Sequence, residues 1–255
     1  MNLLALLFFV TALLYAAAGF GGGSTYNALL VLAGTDYRAI PIIALSCNIL
    51  VVTVGSWRFA RSGHVDWRRI WPLFAASVPL SWVGGRLHVP ETLFVGLLAV
   101  SLLAAGLLML FQRQKTDEKS PERRSFWLEP VIGGALGLLS GVVGIGGGIY
   151  LAPILHVLRW GEARVIAGTC AVFILVNSIA GLTGQLGKWG GLGVHVLTDH
   201  WLLFPAVLVG GTIGSAVGSD WLAPRHVRTL TAILVLYAAV RLGMRFSALV
   251  TGQPT

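Results

Sequence analysis

The sequence predicts an all-α polytopic membrane protein made of two homologous halves, and three observations carry that expectation. Of its 255 residues, 56% are hydrophobic and only 11% charged, whereas a soluble domain has about a quarter of its residues charged. Apolar runs close to the length that crosses a bilayer recur from one end of the chain to the other. A glycine-rich interruption occurs twice inside such runs, as Gly19-Phe20-Gly21-Gly22-Gly23 and, 125 positions later, as Gly144-Ile145-Gly146-Gly147-Gly148. Each glycine in a helix interior costs about 1 kcal/mol against alanine. Clusters of four therefore predict breaks, and a break within a membrane is tolerated only where its backbone is buried in protein or lines a polar cavity.

The first broken segment joins the apolar run Leu3 to Ala18 to a shorter one from Tyr26 to Ala33. Its beginning, ending in Ala16-Ala17-Ala18, has the look of a signal peptide but lacks the leading Lys or Arg. The same plan recurs at 131–148, so the run is expected to stay as part of the fold. The turn Thr35-Asp36-Tyr37-Arg38 precedes a span from about Ala39 to Trp57, and a basic loop with Arg58, Arg61, Arg68 and Arg69 leads to a span from Ile70 to Leu87. After Pro90-Glu91 a third span covers Thr92 to Phe111. Gln112 to Phe126, with five basic and three acidic residues, reads as a polar cytoplasmic linker between a first membrane repeat (1–111) and a second (127–255).

The second repeat follows the same plan. A broken segment over about Leu128–Leu158 leads through a turn with Arg159, Glu162 and Arg164 to spans at about Val165–Leu186, Trp201–Trp221 and His226–Phe246. Val78-Pro79-Leu80-Ser81-Trp82-Val83-Gly84-Gly85 matches Phe204-Pro205-Ala206-Val207-Leu208-Val209-Gly210-Gly211 at an offset of 126, and Ser46-Cys47 matches Thr169-Cys170 at 123. If each broken segment is one span, the halves are parallel; if each is a re-entrant hairpin, three spans remain per half and the halves are inverted. Matching loops carry opposite charge bias, four arginines against Lys188 in one position and Arg38 against Arg159 and Arg164 in another. That favours inverted repeats.

The net charge of +8 lies between apolar runs, a positive-inside pattern and not a nucleic-acid face. Cys47 and Cys170 give no disulfide framework and read as small buried hydrophobes. No metal-ligand spacing, phosphate-binding loop or nucleophile elbow is present, so no metal or cofactor is expected.

Taken together, the paired G-x-G-G-G segments resemble the TauE/SafE family of membrane permeases, the sulfite exporter family. Gly148-Ile149-Tyr150-Leu151-Ala152-Pro153, the loop Gly63-His64-Val65-Asp66-Trp67 and the span with Gly210, Gly211, Gly214 and Gly218 fit the same family. The resemblance covers nearly the whole chain. It implies a multi-pass transporter of the bacterial inner membrane for small anions such as sulfite, sulfonates or related organosulfur acids.

The residues themselves suit an anion. Helices restarting after Gly23 and Gly148 present N-termini with unsatisfied N–H donors and about half a positive charge each, the recurring plan of anion sites in secondary transporters. The candidate substrate-binding residues are Gly21, Gly22, Gly23, Ser24, Thr25, Asn27, Gly146, Gly147, Gly148 and Tyr150, with His156 close behind. Polar residues within spans add Asn48, Thr53, Thr169, Asn177, Ser178, Thr183 and Gln185; of these Asn48, Thr169 and Asn177 are taken as site candidates. No Asp or Glu lies near the middle of a span, which disfavours proton relays and cation sites. An anion channel, an intramembrane enzyme using Cys47 or Cys170, and a non-transporting subunit are the alternatives. Gly133, Gly137 and Gly141, and Gly210, Gly214 and Gly218, form small-residue ridges that suit helix packing within one chain or between two copies.

Overall fold

A computed structural model describes residues 2–17, 20–111, 128–158, 160–189, 191–217 and 224–251. All the regular structure among them is helical. In the first half lie α1 (Asn2–Ala17), α2 (Gly23–Leu32), α3 (Ala39–Arg61), α4 (Trp67–Arg86) and α5 (Glu91–Phe111). The second holds α6 (Leu128–Val143), α7 (Gly148–Val157), α8 (Ala163–Trp189), α9 (Gly191–Asp199), α10 (Leu203–Val217) and α11 (Pro224–Thr251). Four of these are long and apolar enough to cross a membrane, and the bent pair α9–α10, turned by 70°, makes a fifth. The linker at 112–126, Gly19 and Gly218 lie outside the described residues.

Both glycine segments break the helix, as expected. α1 stops at Ala17 and α2 starts at Gly23; α6 stops at Val143 and α7 starts at Gly148. The residues before the restarts, Gly22 and Gly147, have φ of 80° and 76°, a left-handed conformation that only glycine adopts cheaply. One helix escaped the sequence. α9 has nine residues, begins with glycines and sits where the hydropathy pattern reads as a loop, too short to show a helical period.

The repeated Pro-x4-Gly-Gly motif explains much of the packing. A Cβ on Gly84 of α4 would run into the Leu138 carbonyl of α6, and one on Gly85 into the Gly181 carbonyl of α8. In the second copy, Gly210 of α10 meets the Phe9 carbonyl of α1 in the same way, while Gly211 lies against Val51 of α3. Each glycine pair thus faces two neighbours, and the matched helices take matched partners. The small-residue ridges complete these contacts within the chain. Gly133, Gly137 and Gly141 sit on the carbonyls of Leu73, Ser77 and Ser81, and Gly214 on that of Leu13.

Contact registers give helix directions. Gly133, Gly137 and Gly141 pair with Leu73, Ser77 and Ser81 in ascending order, so α6 runs parallel to α4. Asn177 and Gly181 of α8 meet Ser77 and Gly85 of α4, which makes α8 parallel to both. In the other group, Gly210 and Gly214 of α10 meet Phe9 and Leu13 of α1. Gly211 meets Val51, and Arg58 donates to the Ser215 carbonyl, so α3 runs along with α10. Between the groups the sense reverses. Gly181 approaches Leu45 while Gly168 approaches Phe59, so α8 and α3 are antiparallel. Glu91 bonds Arg245 and Gly106 meets Leu236, so α5 and α11 are antiparallel too.

The ends of α4 mark the two ends of the molecule. Its N-terminal Arg69 stacks on Trp160 in the α7–α8 turn, with Cζ 4.3 Å from the ring centroid. At its other end the backbone carbonyl of Leu87, the residue that follows the helix, accepts a hydrogen bond from Lys188, whose neighbour Trp189 carries Arg38 of the α2–α3 turn on its ring. A helix of 20 residues is about 30 Å long, close to the thickness of a bilayer core.

Candidate functional site

Asn48 sits fully buried in α3 between the two glycine breaks. A Cβ placed on Gly21 would stand 2.8 Å from its Oδ1, and one on Gly23 2.6 Å from its Nδ2. From the other break, a Cβ on Gly146 would stand 2.9 Å from the same Nδ2 and 3.4 Å from Ser178 Oγ. Gly23 also abuts the Ile145 carbonyl directly. Only glycines allow two broken backbones to come this close around one side chain, which gives the clusters a packing reason as well as a conformational one.

The helices that restart here are open at their N-termini. The first intrahelical bonds of α2 run from the N–H groups of Thr25 and Tyr26 to Gly22, and those of α7 from Tyr150 and Leu151 to Gly147. The N–H groups of Gly23, Ser24, Gly148 and Ile149 precede them, and no side chain caps either helix. Such ends offer oriented donors and positive potential together. Hydroxyls add to the donor set: Ser24 Oγ and Ser178 Oγ are buried without a partner.

Amides from elsewhere hold the carbonyls of the second break. Gln185 Nε2 donates to Gly141 O at 2.9 Å, Asn27 Nδ2 to Val143 O at 2.9 Å and Asn48 Nδ2 to Ile145 O at 3.4 Å. The broken end of α6 therefore carries bonded carbonyls, as a break within apolar surroundings requires. Two of the three amides come from the first half, so the second break is fastened by residues that follow the first.

The sequence-derived candidates divide on this geometry. Gly21, Gly23, Asn48 and Gly146 are brought together, with Gly22, Gly147 and Gly148 as the caps and start of the adjoining helices. Thr25 turns aside to share a hydrogen bond of 2.9 Å with Tyr15. Tyr150 is buried, its hydroxyl donating to the Ser101 carbonyl of α5. Asn177 faces α4, its side-chain amide donating to Ser77 Oγ at 3.1 Å and to Phe173 O at 2.8 Å, while its backbone carbonyl accepts from Ser81. Thr169 Oγ1 is buried without a partner. His156 is exposed in the last turn of α7. Thr53 and Thr183 bond carbonyls of their own helices. Cys47 and Cys170 are both buried and belong to separate apolar clusters.

Ser178, a polar residue within a span that was not among the site candidates, is brought to the break. It stands next to Asn177, and nothing in a single helix tells which of the two turns to the break. No cluster of metal-ligating side chains is found among the described residues.

The comparison with known families decides the class. The family model described as sulfite exporter TauE/SafE matches residues 4–242. The chain belongs to the TauE/SafE family. Among its relatives is a probable membrane transporter protein, y4hK, of Sinorhizobium fredii, 34% identical over 242 residues that make up 94% of this chain and 96% of the relative. A second, the probable membrane transporter protein MJ0441 of Methanocaldococcus jannaschii, is 25% identical over 250 residues, 91% of each chain. No solved structure matches. Membership of TauE/SafE, with transporters as relatives across nearly the full length, makes this a membrane transporter and agrees with the apolar helices.

Proposed function

We propose that this TauE/SafE protein is a secondary transporter of the bacterial inner membrane that moves a small anion, sulfite or a sulfonate, by alternating access between two inverted repeats, 1–111 and 127–255. The observation that carries the reading is the meeting of two uncapped helix N-termini around Asn48. Two such ends, with serine hydroxyls beside them, suit a compact oxyanion. A sulfur oxyanion is drawn from the family's description.

The registers support the inverted arrangement. Matching helices α3 and α8 are antiparallel, as are α5 and α11, while α1 pairs with α10 as α6 pairs with α4. Since α1 runs with α3, α2 must turn back to the end where α1 begins, and the same holds for α7 and α6. Each broken segment is then a re-entrant hairpin, and the two enter from opposite faces. Arg58, Arg61, Arg68 and Arg69 lie around the α4 N-terminal end, which supports a cytoplasmic position for it. The two groups, α1–α3–α10 and α4–α6–α8, meet along α3 and α8, and rocking one against the other exposes Asn48 to either side in turn.

The test is flux into proteoliposomes against sulfite, sulfate, thiosulfate, taurine, sulfoacetate, simple carboxylates and chloride. We expect saturable uptake of one sulfur oxyanion class over empty vesicles. Protein that is inserted and folded but moves none of these anions overturns the proposal.

A further inference from the structure

A crevice at the α4 C-terminal end leads from the surface towards the second break. Its walls include Tyr37, Arg38, Val89, Lys188 and Trp189, and its floor Pro41, Val142 and Gln185. The floor touches the site already described. Pro41 packs on Gly144, since a Cβ there would stand 2.6 Å from Pro41 Cα. Gln185 holds the Gly141 carbonyl just ahead of the break.

The mouth of this crevice is cationic, and its charges share one aromatic plug. Arg38 Cζ lies 5.2 Å and Lys188 Nζ 5.1 Å from the Trp189 ring centroid, within the range of cation–π attraction. Two carboxylates stand near enough to attract the Arg38 guanidinium, and each has a further donor: Asp36 accepts from the Arg38 backbone N–H, and Glu91 is bonded to Arg245. His88 stands edge-on to Trp189, 5.8 Å away. The indole Nε1–H of Trp189 is itself buried without an acceptor. A buried donor left unmet costs about 1–3 kcal/mol, so a group that accepts from it is favoured at this spot. The crevice has a free volume of about 10 Å³, room for one water molecule, so a larger anion passes only if Trp189 moves.

Resting on the carrier reading above, we propose that this crevice is an anion-recruiting vestibule at the external end of the substrate path. Arg38 and Lys188 hold a sulfonate or similar small oxyanion, Trp189 donates its indole N–H and moves aside, and the anion passes Gln185 to the paired breaks. Neutral or cationic solutes gain nothing from such a mouth, which gives it the sign selectivity that electrostatic focusing supplies to a narrow cleft.

The experiment uses the full chain in detergent with Val89→Cys, a small change on the crevice wall; Cys47 and Cys170 are buried. The cysteine is modified by 2-sulfonatoethyl methanethiosulfonate or its trimethylammonium analogue, each rate normalised to that with a free thiol. At low ionic strength we expect the sulfonate to react about tenfold faster, with the preference lost at high salt and in the Arg38→Gln/Lys188→Gln background, and halved on a logarithmic scale in either single variant. A rate ratio near one in Val89→Cys, or a preference that survives removal of both charges, overturns the vestibule. Because labelling needs no transport, sulfite flux without the preference rejects the vestibule alone. The preference without flux of any anion rejects the carrier reading alone.

Discussion

At Asn48 and Asn177 the same residue type, buried in the middle of two matching helices, meets different surroundings. Asn48 is wedged between Gly21, Gly23 and Gly146. Asn177 ties α8 to α4 through Ser77 and Ser81. Asn177→Ala strips Ser77 Oγ of its donor, and leaving a buried polar partner unmet costs about 1–3 kcal/mol. We predict a lower melting temperature for Asn177→Ala in detergent, with sulfite affinity within twofold of the wild type. Both asparagines stood out in the sequence as polar residues in apolar spans. Which one faces the break did not, because single helices carry no mark of which face a distant segment will cover. The same limit kept Ser178, noted as a polar residue one position from Asn177, out of the site candidates.

Among the elements, the breaks were legible because glycine clusters are costly in helices and these recur in register with a duplication. The Pro-x4-Gly-Gly repeat was legible as a landmark. Its job was not: Gly84 and Gly85 separate two neighbours, α6 and α8, as Gly210 and Gly211 separate α1 and α3. Pairing between helices far apart in the chain is set by tertiary packing, which no local pattern states. α9 was missed because nine residues cannot display an amphipathic period. The close contacts predict a contrast between two glycines. Gly141→Ala drives its methyl into the Ser81 carbonyl and towards Gly85 N, 2.7 Å away, and overpacking of this kind costs about 1–3 kcal/mol. Gly243 in α11 has nothing within 4 Å of the added methyl, so Gly243→Ala gains helix propensity, up to about 1 kcal/mol. Thermal melts of the two variants are expected to move in opposite directions.

For the whole molecule, the separate features converge on one design. Helices from the two halves exchange partners, so neither group of helices belongs to one half alone. The breaks between α1 and α2 and between α6 and α7 meet at Asn48, and in the proposed inverted arrangement they approach it from opposite ends. The first half supplies Asn27 and Asn48 to fasten the second break, while alanines occupy the matching positions 152 and 171 in the second half. The two matching segments therefore differ at the centre, and in the proposed site a small ligand needs only one set of donors. The residues that surround Asn48, namely Gly21, Gly23, Gly146 and Ser178, bring no cation with them, which leaves oriented N–H groups and hydroxyls as the positive features there.

Equilibrium binding of radiolabelled sulfite to the purified full-length protein, with wild type and Asn48→Ala side by side, tests this centre most directly. The account predicts saturable binding of one sulfite per chain, weakened at least about tenfold by Asn48→Ala, which is about 1.4 kcal/mol. Equal affinities in the two proteins, or no saturable binding by folded wild type, would contradict it.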